Sequence, residues 1–145
     1  MPLARSLWET TRRMANSGFR SLLAYQKSFS LASSIWRMTK FFPKEERYSL
    51  TDQIRRSSRS VAANLAEGYG RRDYPKHFVS KLADCISENY ETQVWLDFAL
   101  DSGYIKKEVH EKYIEASEEV GKLLSYMVAN PGKFLKAKQI QNERS

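Results

Sequence analysis

The feature of this chain that most restricts its fold is a helical spacing of apolar residues, repeated in four segments separated by Pro and Gly. Apolar residues that recur at steps of three and four line one face of an α-helix. The 145 residues include only six Gly and four Pro, and most of these lie between the segments. Since the connections are short, neighbouring helices run antiparallel. The sequence therefore predicts an all-α fold: an antiparallel up-down-up-down four-helix bundle with a short N-terminal extension.

The first predicted helix runs from about Ser21 to Phe41, and Pro43 ends it because proline cannot continue the backbone hydrogen bonding. Its expected core face consists of residues at three- and four-residue steps, widened by two further apolar positions: Leu22, Tyr25, Phe29, Ala32 and Trp36, with Ile35 and Met38.

The second predicted helix begins at Ser49 and ends at Gly68, with Gly70 close behind. Glycine tolerates the left-handed backbone that often follows a helix C-terminus. Three apolar residues of this helix, Leu50, Val61 and Leu65, fall within about 40° of Ile54 on a helical wheel; Ser58 joins them and Ala62 borders the stripe.

The third predicted helix is the longest, from about Pro75 to Ser102, with Asp73 as its expected N-cap. Apolar residues nearly encircle it, and a helix that is apolar on several sides packs against several partners. We therefore expect an oligomer, with Trp95 as an example of an outward-facing apolar residue. The fourth helix is expected from about Lys106 to Ala129, closed by Pro131-Gly132.

These elements predict three regions: an N-terminal extension over residues 1–17, the bundle over 18–130, and a basic C-terminal tail over 131–145. Charge is divided unevenly between the two halves of the chain. Residues 1–72 carry 14 Lys and Arg against 5 Asp and Glu, whereas residues 73–130 carry 6 against 11. Such a division is typical of a polyanion-binding surface, or of subunits that pair a basic face with an acidic one.

Little in the composition points to catalysis. The single cysteine, Cys85, is compatible with a reducing cytoplasm, and no apolar run approaches the length of a membrane span. The two histidines, His77 and His110, have no metal-ligand spacing around them. We therefore expect a cytoplasmic protein that is not an enzyme, with no catalytic residues, metal or cofactor and no association with membranes.

Arginines on the second helix are the main candidates for binding. With Ile54 at 0° on the wheel, Arg55, Arg59 and Arg56 fall at about 100°, 140° and 200°, opposite the predicted core. Arg71 and Arg72 follow at the end of the helix. Guanidinium groups form paired hydrogen bonds with phosphate, so these five arginines predict a nucleic-acid-binding surface. The alternative is a protein-interaction module in which the arginines pair with acidic neighbouring subunits.

Polar residues at the border of a core must find hydrogen-bond partners. Asn64 and Glu67 on the second helix, and Glu91 on the third, are therefore predicted to join a structural polar network between helices.

At these residues the chain resembles a known bacterial four-helix-bundle family. The similarity lies in Leu50-Thr51-Asp52-Gln53-Ile54-Arg55-Arg56-Ser57-Ser58 and in Asn64-Leu65-Ala66-Glu67-Gly68-Tyr69-Gly70-Arg71. The family includes proteins encoded in intervening sequences of large-subunit ribosomal RNA. It also includes the accessory variability determinants of diversity-generating retroelements. The resemblance covers about residues 18–130 and leaves residues 1–17 without a counterpart.

The resemblance implies a homopentamer of four-helix bundles with a positively charged surface. In the retroelement members, that assembly binds a reverse transcriptase and nucleic acid. RNA, DNA and a reverse transcriptase are therefore the candidate partners that it suggests. The family supplies no catalytic residues.

Overall fold

The computed structural model describes residues 18–135, so the predicted extension at 1–17 and most of the predicted tail lie outside the described residues. Within 18–135 there are four α-helices and no strand: α1 (Leu23–Thr39), α2 (Leu50–Tyr69), α3 (Pro75–Asp101) and α4 (Lys107–Ala129). Short 3-10 helices occupy Phe19–Ser21, Lys44–Glu46 and Pro131–Lys133. The predicted helices are confirmed, and their bounds differ by two residues or fewer.

Contacts between the helices establish that neighbours run antiparallel. On α2 and α3, Ser57 contacts Thr92 while Glu67 contacts Lys81, so the residue number rises on one helix as it falls on the other. The same order relates the remaining neighbours, as these pairs illustrate: Thr39 with Arg55, Asp97 with His110, and Lys27 with Glu119. The up-down-up-down bundle is confirmed.

The buried face of α2 matches its predicted apolar stripe. Leu50, Ile54, Val61 and Leu65 are all buried, as are the bordering Ser58 and Ala62. Leu65 belongs to a cluster with Phe78, Leu82 and Leu124, which joins three helices at one end of the bundle. Full burial of each such side chain stabilises the fold by roughly 1.5–3 kcal/mol.

The buried face of α1 is not the predicted aromatic stripe. Ala24, Ser28, Leu31 and Ile35 are buried, and together they lie on one side of the helix. Of the predicted core face only Ala32 and Ile35 are buried, and the centre of the stripe from Leu22 to Trp36 is displaced from the core by roughly 100° on the wheel. The prediction for this face was wrong in part, because α1 buries Ala24 and Ser28 together with Leu31 and Ile35, and leaves its aromatic rings only partly covered.

The predicted helix caps also need correction. The N-cap of α3 is Tyr74, and Asp73 precedes it. Ser49 is the N-cap of α2, but its hydroxyl donates a hydrogen bond to Glu46 Oε1 at 2.6 Å instead of accepting one from the helix. The start of α2 is thus tied to the preceding 3-10 turn by side chains.

Gly68 does not end the helix, because α2 continues through Tyr69. Neither Gly68 nor Gly70 has the left-handed backbone that was expected after the helix, and the φ of Gly70 is −67°. The left-handed backbone is found instead at Gly103, after α3, with a φ of 79°. A Cβ placed on Gly68 would lie only 2.8 Å from the Cβ of Lys81. Gly68 therefore serves close packing between α2 and α3.

A layer of polar side chains crosses the interior at mid-bundle. Ser57 and Thr92 exchange a hydrogen bond of 2.8 Å between α2 and α3. Asn89 donates to the Ser117 carbonyl at 2.9 Å and accepts from the Ser117 hydroxyl at 2.9 Å, which joins α3 to α4. Gln93 also donates to the Ser117 hydroxyl. Because each buried polar group has a partner, the layer fixes the axial register of three helices.

The packed bundle extends past the predicted boundary at residue 130. Leu135 is buried in the same cluster as Leu124 and Met127, and Phe134 packs against it. The Phe134 carbonyl also accepts a hydrogen bond from Arg72 Nη1 at 3.2 Å. Residues 131–135 therefore belong to the bundle.

Candidate nucleic-acid interface

Two of the predicted arginines lie over one aromatic ring. The guanidinium carbons of Arg55 and Arg59 are 3.8 Å and 4.4 Å from the centre of the Trp36 ring. Arg55 and Arg59 are four residues apart on α2, which places both side chains toward α1. Attraction between a cation and the face of an indole ring holds guanidinium groups in place while their edges keep unused N–H donors.

Arg55 is the more deeply placed of this pair. Its Nε donates to Thr39 Oγ1 at 2.7 Å, and burial lowers the pKa of the guanidinium, with a further contribution from the charge of Arg59. Arg59 is exposed. Since Arg55 contacts α1, it lies at the edge of a helix interface and not on the free face that the wheel predicted.

Arg56 lies on the opposite flank of α2. It is exposed, and its charge acts on Glu88 of α3. Burial raises the pKa of the Glu88 carboxyl, the neighbouring Glu91 adds to this, and Arg56 opposes the shift. The packing of α1 on one side and α3 on the other therefore separates Arg56 from Arg55 and Arg59.

Arg71 and Arg72 lie in the turn after α2, roughly 24 Å along the helix from Arg55 at 1.5 Å per residue. The Arg72 guanidinium carbon lies 3.5 Å from the centre of the Tyr69 ring, and its Nε donates to the Tyr69 carbonyl. Arg71 is exposed. The five predicted arginines thus form two separate basic sites and one isolated side chain.

None of the five arginines takes part in the ion pairs found within residues 18–135. Those pairs involve Lys27, Lys81, Lys107 and His110. In this part of the chain, the guanidinium groups of Arg55, Arg59 and Arg72 are held by aromatic rings, a hydroxyl and backbone carbonyls, none of which carries a negative charge.

Next to Trp36, a groove with a volume of about 680 Å³ runs between α1 and α2. Its described lining includes aromatic rings, four alanines and three cationic side chains but no carboxylate: Phe19, Tyr25, Phe29, Ala32, Ser33, Trp36, Arg37, Lys40, Arg59, Ala62, Ala63 and Ala66. The rings that were predicted to form the core face of α1 line this groove. Hereafter it is called the α1–α2 groove.

The predicted polar network is divided in the structure. Asn64 and Glu67 meet at Lys81, whose Nζ lies 3.3 Å from Asn64 Oδ1 and 3.0 Å from Glu67 Oε2. Glu91 lies elsewhere on α3, where its Oε1 accepts a hydrogen bond from Trp95 Nε1 at 3.2 Å. Lys81 was not predicted as a member of this network, because a lysine on an amphipathic helix ordinarily points into solvent.

An exposed apolar column runs along α3, formed by Tyr90, Val94 and Phe98 at four-residue spacing. These side chains are 63%, 46% and 52% exposed. Trp95, expected to face outward, is instead partly buried and packs against two core clusters. The wheel placed apolar residues on both sides of α3, and the positions of α2 and α4 decide which of them are covered.

The thiol of Cys85 within residues 18–135 is buried and does not bond to another cysteine. Burial raises the pKa of the Cys85 thiol to about 12, and Asp84 adds to this, so the thiol stays protonated and a poor nucleophile. The same residues contain no group of His, Cys, Asp and Glu arranged to hold a metal ion. Nor does any helix among them have the length and apolar character needed to cross a membrane.

Sequence reasoning missed the α1–α2 groove, together with Arg37 and Lys40 at its rim. One signal for it was available: the α1 aromatics face a run of alanines on α2, and alanines cannot fill the space beside large rings.

Comparison with known proteins relates the chain to a protein family and to a solved structure. The family model described as 23S rRNA-intervening sequence protein matches residues 20–126. A crystal structure from Bacteroides thetaiotaomicron, of a protein of unknown function from the S23 ribosomal protein family, is 29% identical with a TM-score of 0.67. That match covers 74% of this chain and 96% of the other. No curated protein matches the chain.

Proposed function

Because this chain belongs to the family of 23S rRNA-intervening sequence proteins, we propose that it is a non-catalytic, oligomeric protein that binds nucleic acid, chiefly RNA. The observation that carries the proposal is the pair of guanidinium groups over Trp36, neither of them ion-paired within the described residues. A polyanion supplies the negative charge that this surface lacks. The family description itself refers to 23S rRNA.

The second basic site, around Arg71 and Arg72, lies at the other end of α2. Two separate basic sites on one bundle suit a nucleic-acid strand that is long enough to place phosphates at both sites. Since phosphate contacts carry little sequence information, binding is expected to be weakly selective among RNAs.

The exposed column on α3 supports the oligomeric part of the proposal. Contiguous apolar surface of this kind is typical of protein–protein interfaces. The sequence resemblance suggests a homopentamer and a retroelement reverse transcriptase as a partner, and the single cysteine suits a location in the cytoplasm. If the genome encodes a reverse transcriptase beside this gene, co-elution of the two purified proteins tests the partnership.

The central experiment removes charge from the proposed RNA surface. Changing Arg56, Arg59 and Arg71 to Gln is expected to weaken RNA binding and to reduce the slope of log affinity against log salt by roughly 0.7–0.9 per lost phosphate contact. Helicity should be preserved, because Arg and Gln have similar helix propensities. RNA affinity at several salt concentrations and the mass of the assembly are measured on the same samples.

A matched control is Lys122→Gln, which removes an exposed positive charge from α4. Its salt slope should equal that of the unmodified protein. If the triple variant binds RNA normally, the proposal is wrong. If it dissociates into monomers instead, the arginines pair with acidic groups of neighbouring subunits, and the chain is a protein-interaction module.

Oligomerisation is tested by Phe98→Glu, which places a charge at one end of the exposed column. Light scattering should show a smaller assembly with unchanged helix content, whereas Ser125→Glu on the exposed face of α4 should leave the mass unaltered. A monomeric unmodified protein at micromolar concentration would contradict this part of the proposal.

A further inference from the structure

The α1–α2 groove exists because α2 presents only small side chains where α1 presents rings. Ala62, Ala63 and Ala66 occupy one wall, opposite Tyr25 and Trp36. A bundle whose helices were packed by Leu or Ile at those alanine positions would have no space there. The groove is therefore open over a length of about three helical turns of α1 on its ring-lined side, from Tyr25 to Trp36.

The charges at the groove are all of one sign. Arg37, Lys40 and Arg59 line the part near Trp36, and no described lining residue is acidic. Lys40 and Arg59 are exposed, and Arg59 lies over the Trp36 ring. A ligand that complements this lining is negatively charged at one end and has a flat, apolar part that packs against rings.

We propose that the α1–α2 groove binds unpaired nucleotides of an RNA strand, with a base against the aromatic lining and the adjoining phosphates at Arg37, Lys40 and Arg59. The inference rests on the proposed function and adds that the protein distinguishes unpaired from paired RNA. Bases stack on aromatic and guanidinium planes irrespective of their identity. Such a site is consistent with weak sequence preference.

Paired RNA cannot use this groove. In an A-form duplex the bases are stacked on one another, and the protein reaches mainly phosphates and 2′-hydroxyls. A duplex would therefore contact the arginines on the surface and leave the groove empty. The difference between single-stranded and duplex affinity isolates the contribution of the groove.

The experiment fills the groove without changing charge. In the double variant Ala63→Leu with Ala66→Leu, two larger side chains occupy the space opposite the rings. Affinity is measured for an oligouridine strand and for the same strand paired with oligoadenosine. The filled variant should bind the single strand roughly tenfold more weakly, the order expected for losing one stacked base, and should bind the duplex unchanged.

Ser125→Leu on α4 is the matched control, because it adds an exposed Leu far from the groove; it should bind both RNAs as the unmodified protein does. A second variant, Lys40→Gln, leaves the groove open and removes one rim charge. It should weaken single-strand binding and lower the salt slope. This variant keeps the inference testable if the filled variant does not fold, as judged by its thermal melting curve.

The possible outcomes separate the two proposals. If the filled variant and Lys40→Gln both bind oligouridine normally, the groove does not hold nucleotides, while the nucleic-acid function stands on the surface arginines. If the filled variant loses both RNAs equally, the groove does not distinguish unpaired bases, and the inference is wrong. If the unmodified protein binds neither RNA, the proposed function itself fails.

Discussion

The two flanks of α2 are packed in opposite ways. Toward α3, Gly68 allows a backbone approach so close that a single added Cβ would lie 2.8 Å from Lys81. Toward α1, alanines leave a groove of about 680 Å³. Both flanks use small residues. On one side small size brings helices together, and on the other it keeps space open beside large rings, so the neighbouring helix determines what a small residue does.

The difference extends to polar groups. On the α3 and α4 side, Ser57, Thr92, Asn89 and Ser117 hydrogen-bond one another in the interior. On the α1 side, the polar groups are cations held over an indole ring at the surface. The first arrangement stabilises the fold, whereas the second leaves hydrogen-bond donors available to a ligand.

The largest expected effect on stability comes from the buried layer. Asn89→Ala removes both hydrogen bonds between Asn89 and Ser117 and opens a cavity, and we expect the free energy of unfolding to fall by about 3 kcal/mol. Urea denaturation followed by circular dichroism measures the change. Ser33→Ala, on the groove side, serves as its control and should lie within about 0.5 kcal/mol of the parent protein. Equal losses in both variants would contradict the proposed division of roles.

Adding one methyl group to α2 should cost stability where it meets α3. Gly68→Ala is expected to lower the free energy of unfolding by about 1–2 kcal/mol, because overpacking against Lys81 exceeds the gain in helix propensity. In Gly70→Ala the new Cβ would lie 3.4 Å from its nearest neighbour, an ordinary contact. That control should be neutral or slightly stabilising, and a stabilised Gly68→Ala protein would refute the close contact.

The arginines should differ in their contribution to stability. Arg55→Gln removes a hydrogen bond to Thr39 and a contact with Trp36, so we expect a loss of about 1 kcal/mol. Arg56→Gln removes no described hydrogen bond or ring contact and should change stability by less than about 0.5 kcal/mol. Thermal melting of the two variants side by side distinguishes them; identical values would mean that both arginines are solvated alike.

The smallest effect concerns Cys85 and appears only at alkaline pH. The thiol has a pKa of about 12 in the folded protein and about 8.5 when unfolded, so above pH 8.5 the unfolded form loses a proton that the folded form keeps. Stability therefore falls as pH rises between those values, by about 0.7 kcal/mol from pH 8 to pH 9. Cys85→Ala should lack this component of the pH dependence when both proteins are unfolded in urea at each pH. Parallel pH profiles would show that the thiol is not protected by burial.

The sequence predictions succeeded for the helix positions and for the core face of α2, and they failed in part for the core face of α1. Helix positions were predictable because proline and glycine mark the ends and the spacing marks the interiors. The core face of α2 was predictable because one apolar stripe stands against a polar remainder. The core face of α1 was not, because Tyr25, Phe29 and Trp36 form a more apolar stripe than Ala24, Ser28 and Leu31, which the bundle actually buries.

For the candidate site, the wheel correctly placed the arginines of α2 outside its apolar stripe. The wheel could not predict that Arg55 and Arg56 would lie on separate surfaces, because α1 packs beside Arg55 and α3 packs beside Arg56. Nor could local spacing reveal Trp36 beneath two guanidinium groups, because the partners are about 20 residues apart in the chain.

The reciprocal hydrogen bonds between Asn89 and Ser117 hold α3 and α4 at one axial position in the middle of the bundle. Moving α4 along α3 by a single turn would break both bonds at once, so sliding is blocked at mid-length while the two ends are held mainly by apolar contacts. We expect backbone amide hydrogens near Asn89 and Ser117 to exchange with solvent most slowly, and those near both ends of the bundle to exchange sooner. Of the two basic sites, the one around Arg71 and Arg72 lies beyond the end of α2 and can adjust its shape to a ligand. Arg55 and Arg59 lie on either side of Ser57 in α2, at the level of the buried polar layer, and are held more firmly.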